Sequence, residues 1–120
     1  MAAILVVEDD VFILQSLEWV LKSMGHKALS ASDLAGALAH LVAVQPIDIL
    51  FTDIRLAALA FGGYEVANQA IGLRPKLRVL YTSGSPLTED MTRRFVPGGR
   101  FLQKPYTTAQ IEAFIAENLH

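Results

Sequence analysis

Five short apolar runs, separated by stretches of helical periodicity, constrain this chain more than any other feature. They are Ile4 to Val7, Lys27 to Ala31, Ile47 to Thr52, Leu77 to Thr82 and Arg100 to Gln103. The first, third and fourth are near-continuously apolar, the pattern of strands buried on both faces. Lys27 to Ala31 is the weakest strand of the set. Between the runs, apolar residues recur at i, i+3/i+4 spacing. Asp10 suits the cap of a helix whose apolar face is Ile13, Leu17, Val20, Leu21 and Met24, with Gly25 placed to follow its end. Ser32-Asp33 start a second helix, buried through Leu34, Leu38, Leu41 and Val42. Pro46 marks the approach to the third strand, and Ile54 to Gly63 reads as a loop. Tyr64 to Leu73 forms the third helix, stopped before Pro75. Ser85-Pro86 predicts the start of a short fourth helix with proline at its first position, ended by Pro97-Gly98-Gly99. Thr88, Asp90 and Thr92 make it the least stable of the helices. Thr107-Thr108-Ala109-Gln110 has the form of a capping box for a last helix, buried through Ile111, Phe114, Ile115 and Leu119.

Strands that alternate with helices in this way predict an α/β domain, a parallel sheet covered on both faces. The 120 residues suffice for one domain with a sizeable core. Ligands of such sheets bind outside the carboxyl ends of the strands, where the strand order reverses. Glu8, Asp9, Asp53, Thr82 and Lys104 all fall at those ends.

The chemistry of that set is specific. Carboxylates a few ångströms apart do not all stay ionised without a counter-charge. A hard divalent cation such as magnesium takes one or two carboxylates and keeps several waters, which suits Glu8, Asp9 and Asp53. Lys104 adds a mobile positive charge, and the two together neutralise a transferring phosphoryl group. Thr82 offers a hydroxyl to another phosphoryl oxygen. An aspartate can act as the nucleophile and form an acyl phosphate.

In order and strand-end position these residues resemble the receiver domains of two-component response regulators, in a single-domain, chemotaxis-regulator-like form. The resemblance rests on Glu8-Asp9 after Ile4-Leu5-Val6-Val7 and on Asp53 after Ile49-Leu50-Phe51-Thr52. It rests equally on Thr82-Ser83-Gly84 after Val79-Leu80-Tyr81 and on Lys104-Pro105 after Phe101-Leu102-Gln103. Each motif alone is weak, but all four in register are strong, and they run from residue 4 to the last helix.

The resemblance implies a flavodoxin-like, doubly wound (βα)5 fold with strand order 2-1-3-4-5, residues 1–120 making one receiver domain. It implies that Asp53 accepts a phosphoryl group from a histidine kinase or a histidine phosphotransfer protein. Magnesium would be held by Asp9, Asp53 and the backbone carbonyl of Arg55, with Glu8 acting through water. Lys104 would hold the phosphoryl group, and Thr82 and the backbone amide of Ser83 would bind its oxygens. Thr82 and Phe101 would form the switch, with a cis bond at Lys104-Pro105 aiming the lysine. The implied output is contact with a downstream protein of unknown identity through the fourth helix, fifth strand and last helix. Neither nucleic acid nor membrane is an expected direct partner. The expected state is a cytoplasmic monomer or weak phosphorylation-dependent dimer, not an enzyme beyond its own phosphorylation and slow dephosphorylation. An apolar loop, Leu56 to Phe61, departs from the family, which commonly has a proline soon after the phosphoacceptor.

Composition excludes several alternatives. There are no cysteines, so disulfides, thiolate metal sites and a cysteine nucleophile are out. Net charge is −2 with no basic stripe, and Arg93-Arg94 reads as a solvated helix face. Hydrophobic content is 52%, yet no apolar run approaches the roughly 20 residues that span a bilayer. Met1 to Val7 lacks the basic start of a signal peptide. A magnesium-dependent phosphatase with an aspartyl nucleophile would carry a second Asp where Arg55 stands. A flavodoxin-like cofactor module would find Glu8-Asp9-Asp10 repelling its phosphate. A degenerate receiver serving as a scaffold remains open because of the loop. Alone, Asp53 would read as a cap or turn residue, Lys104 as a solvated charge and Thr82 as a strand residue. Phe101 reads equally as core or switch. Asp10 reads as a helix cap only, Trp19 carries no role, and His26, His40 and His120 read as scattered surface residues.

Overall fold

The computed structural model describes residues 2–57 and 59–118. Its elements, in order, are β1 (Ala3–Val7), α1 (Val11–Ser23), β2 (Lys27–Ala31), α2 (Leu34–Val42), β3 (Ile49–Asp53) and α3 (Gly62–Leu73), then β4 (Arg78–Ser83), α4 (Glu89–Arg94), β5 (Arg100–Gln103) and α5 (Thr108–Asn118). The strands are parallel in the order β2-β1-β3-β4-β5. The expected doubly wound five-stranded fold is therefore present.

Strand pleating divides the core in two. Ile4, Val6, Ile49, Phe51 and Leu80 face Leu17 and Leu21 of α1 and Ile111, Phe114 and Ile115 of α5. Their neighbours Leu5, Val7, Leu50, Val79 and Tyr81 face the other way, against α2, α3 and the residues around α4. β1 and β3 are buried along their whole length, which explains why they carry no alternating polar residues. Leu119 and His120 lie outside the described residues.

Helix ends follow the local chemistry. Asp10 caps α1, its carboxylate accepting from the amides of Phe12 and Ile13 at 2.9 and 3.3 Å. Asp33 caps α2 through Gly36. Thr107 and Gln110 complete the capping box of α5, each accepting from the other's backbone amide at 2.8 and 3.1 Å. Gly25 follows α1 with φ +87°, a conformation that favours glycine.

Three expectations are corrected. Val42 is 67% exposed, and Ala37 takes the buried place. Leu34, Ala37, Leu38 and Leu41 share one helix face, and Val42 lies about 100° away from Leu41. The fourth helix starts at Glu89, not at Ser85-Pro86. Thr88 caps it by accepting from Met91 at 3.2 Å, while the Ser85 amide is taken by the Ser83 hydroxyl. The helix ends at Arg94, ahead of Pro97. The third helix starts two residues earlier than expected, at Gly62. Only glycine fits at residue 63, because a Cβ there would stand 2.1 Å from the carbonyl oxygen of Asp53.

Candidate functional site

Register brings the chemistry together. Val7 pairs with Thr52, so Glu8 and Asp9 emerge beside Asp53. Asp53 pairs with Thr82, and Ser83 pairs with Gln103, the residue before Lys104. The Lys104 amide then donates to the Ser83 carbonyl at 2.9 Å, and the Lys104–Pro105 bond is cis. Four strand ends thus meet at one crevice on the carboxyl edge.

Within it, the Lys104 ammonium donates to Asp53 Oδ2 at 3.0 Å and to Glu8 Oε2 at 3.4 Å. Glu8 and Asp53 are buried, whereas Asp9 is exposed at the rim, and oxygens of all three lie within 4.8 Å of one another. One cation therefore serves two carboxyl groups, with a third beside them. Burial, followed by the hydrogen bond and negative charge of Asp53, pushes Glu8 up to about 7. Burial acts to lower Lys104, but Asp53 and then Glu8 outweigh it and leave the lysine raised. Burial and then the charges of Glu8 and Asp53 also raise the Tyr106 phenol, whose ring packs on Phe51.

Two observations test whether a hard cation and an oxyanion suit this crevice. The donor set is entirely carboxylate oxygen, as magnesium prefers. The Thr82 hydroxyl is buried with no hydrogen-bond partner, alone in this among the described side chains. Buried polar atoms are normally paired, so an unpaired hydroxyl on the residue in register with Asp53 is a free donor. Both requirements fit.

A family model of the response regulator receiver domain matches residues 4–116. The chain belongs to that family. This receiver domain is similar to a response regulator receiver protein from Sinorhizobium medicae, at 29% identity and a TM-score of 0.87, over 98% of this chain and 94% of that one. It is also similar to NtrX from Brucella abortus, solved in complex with ADP, at 29% identity and a TM-score of 0.81. There the match covers 99% of this chain and 26% of NtrX. A CheY-like receiver from Methanospirillum hungatei has a TM-score of 0.85 at 24% identity, over 98% of this chain and 92% of that one, a likeness of fold alone. No curated protein matches the sequence.

Arg55 is exposed two residues after Asp53, and Ser83 is half-buried at the end of β4. Phe101 is half-buried and stacks on Phe95, itself stacked on Tyr81 at 4.3 Å between ring centroids. Trp19 is exposed. His26 and His40 are not free surface groups. His26 Nδ1 accepts from the Ala2 amide, and His40 Nε2 donates to the Ser30 carbonyl. Arg94 is not simply solvated either, since its guanidinium lies over the Phe61 ring at 4.3 Å and bonds Asp90 at 3.1 Å. Beside Lys104, Pro105 and Tyr106, an apolar groove of about 570 Å³ opens between α1 and the start of α5, with exposed Phe12 at its rim. Sequence reasoning missed one contact of the crevice itself. Asp9 Oδ2 accepts from the Ala57 backbone amide at 2.8 Å. No residue type announces a backbone donor.

Proposed function

We propose that this receiver domain is a phosphoaccepting signalling module with Asp53 as the acceptor. The observation that carries the reading is a buried carboxylate 3.0 Å from Lys104, crowded by Glu8 and Asp9 and in register with Thr82, whose buried hydroxyl is unpaired. An oxygen of Asp53 attacks the phosphorus of a phosphohistidine. The new P–O bond forms as the P–N bond breaks, and the imidazole nitrogen keeps the electron pair. Lys104 neutralises the phosphoryl oxygens, and the Thr82 hydroxyl and Ser83 amide donate to them. Asp9, Asp53 and the Arg55 carbonyl would hold magnesium, with Glu8 reached through water. The ion supplies charge neutralisation for the incoming phosphoryl group.

The donor is a histidine kinase or histidine phosphotransfer protein. The apolar groove beside Lys104, rimmed by Phe12, supports a protein rather than a small molecule as the physiological donor. Thr82 and Phe101 form the readout, carried to the α4, β5 and α5 face for a downstream protein. Turnover of exogenous phosphate esters is not expected, because the position of the general acid in aspartyl phosphatases is held by Arg55.

The test is intact mass after incubation with magnesium and acetyl phosphate. Wild type gains one phosphoryl group, and Asp53→Asn gains none. Wild type that stays unmodified with both acetyl phosphate and a phosphohistidine donor would leave a binding scaffold as the function.

A further inference from the structure

The loop after Asp53 is held in a form that engages a carboxylate of the candidate metal site. Ala57 has φ +53°, and no other non-glycine residue among those described has positive φ. A left-handed alanine is strained and persists only where its surroundings enforce it. Three contacts do so. The Ala57 amide donates to Asp9 Oδ2 at 2.8 Å. Leu56 and Leu59 exchange backbone hydrogen bonds at 3.0 and 2.9 Å, with the Leu56 side chain buried. Phe61, at the far end of the loop, lies under the Arg94 guanidinium of α4, with Tyr64 behind it at 5.9 Å from the same group. The Asp90 carboxylate steadies Arg94 from its own helix.

These contacts form a continuous line from Asp9 to α4, and α4 has no buried residue of its own. The Asp9 oxygen that accepts from Ala57 belongs to a carboxylate of the candidate cation site. The hydrogen bond from Ala57 draws on the charge of the Asp9 carboxylate, so a cation bound there would share that charge with the Ala57 amide.

We infer that magnesium binding and the seating of α4 are coupled through this loop, with Arg94 on Phe61 as the latch. The latch favours the loop form in which Ala57 occupies Asp9, and so weakens magnesium. Coupling is reciprocal, so magnesium in turn loosens α4. Arg94 is a positioning residue, since it lies on Phe61 and not at the acids. The inference rests on the reading of Glu8, Asp9 and Asp53 as a magnesium site.

The test is a titration of the whole protein with magnesium alone, followed through the amide resonances of Asp9, Asp53 and Ala57. Arg94→Ala removes the latch and tightens magnesium by roughly two- to fivefold, the range of an exposed cation–π contact. Ala57→Gly relieves the strain of the closed loop and weakens magnesium by a similar factor. Amide exchange in α4 quickens on adding magnesium to wild type and changes less in Arg94→Ala. Opposite shifts in the two variants support the coupling. Unchanged affinities, or weaker binding by Arg94→Ala, overturn it while leaving the magnesium site intact. No response of the wild-type acids to magnesium overturns the site reading and the coupling together.

Discussion

The two edges of one sheet are built on opposite principles. At the amino edge, polar groups are matched with partners across elements. The Ala3 amide donates to Asp48 Oδ2 at 2.8 Å, and the Ala2 amide to His26 Nδ1 at 3.0 Å. Arg74 reaches from the end of α3 to three carbonyls at and just beyond the end of α2, those of Leu41, Ala43 and Gln45, at 2.9 to 3.1 Å. At the carboxyl edge, two carboxyl groups share one lysine with a third beside them, the Thr82 hydroxyl has no partner, and Ala57 is strained. Natural sequences are consistent across levels except where a site demands otherwise. The same strands therefore serve stability at one end and chemistry at the other. Removing a partnered polar group at the amino edge and an unpartnered one at the carboxyl edge should act with opposite signs.

The largest effect is expected at Arg74. Arg74→Ala strips three charge-assisted hydrogen bonds from carbonyls at the end of α2 and should destabilise by about 2 to 3 kcal/mol in equilibrium urea unfolding. Phosphorylation of the folded variant by acetyl phosphate should be unchanged. A loss under about 0.5 kcal/mol would mean that water satisfies those carbonyls equally well, and the contrast between edges would lose its strongest member.

Glu8 comes next, through pH. Its carboxyl binds a proton up to about 7 in the fold, against an ordinary value of 4.5. Between those values the folded state holds more protons than the unfolded one, so stability falls as pH rises. The contribution is fully present below the ordinary value and is lost as pH passes through the folded one. A loss on the order of 2 kcal/mol is expected between about pH 5 and 8. Glu8→Gln has no such proton, so its stability relative to wild type should grow over that window, read from urea midpoints across pH. Parallel curves for the two proteins would show that Glu8 ionises normally.

Where the sequence was readable follows from the same contrast. Continuous apolar runs identified β1, β3 and β4, and strand ends located Glu8, Asp9, Asp53, Thr82 and Lys104, because parallel register brings equivalent ends together. The capping box of α5 was visible because both partners are side chains at a fixed spacing. The start of α4 was not, since Ser85-Pro86 and Thr88 compete as caps, and it is Thr88 that accepts from an amide three residues on. Val42 sits beside Leu41 in sequence, and in so short a helix one step of rotation decides burial. Contacts made by backbone or across elements left no trace in residue spacing. The Ala57 amide on Asp9, Arg94 over Phe61 and Arg74 on three carbonyls all belong to that class.

The smallest effect offers the sharpest contrast, because it compares the same substitution in two adjacent strands. Thr52 and Thr82 are both buried threonines at the carboxyl ends of β3 and β4. The Thr52 hydroxyl donates to the Asp53 carbonyl at 3.1 Å, whereas the Thr82 hydroxyl has no partner. Valine keeps the branched shape and suits a strand, so the change removes little but the hydroxyl. Thr52→Val breaks a hydrogen bond and should cost about 1 kcal/mol. Thr82→Val removes a desolvated group that bonds nothing, and should stabilise by about 0.5 to 1 kcal/mol in the unphosphorylated protein. The same variant should lose the stabilisation that wild type gains on phosphorylation, because that is where its hydroxyl finds an acceptor. Urea midpoints of both variants, with and without phosphorylation, read all of these differences. Equal destabilisation by the two valines would show that the Thr82 hydroxyl is already paired, by water, and that the carboxyl edge stores less unmet bonding than its geometry implies.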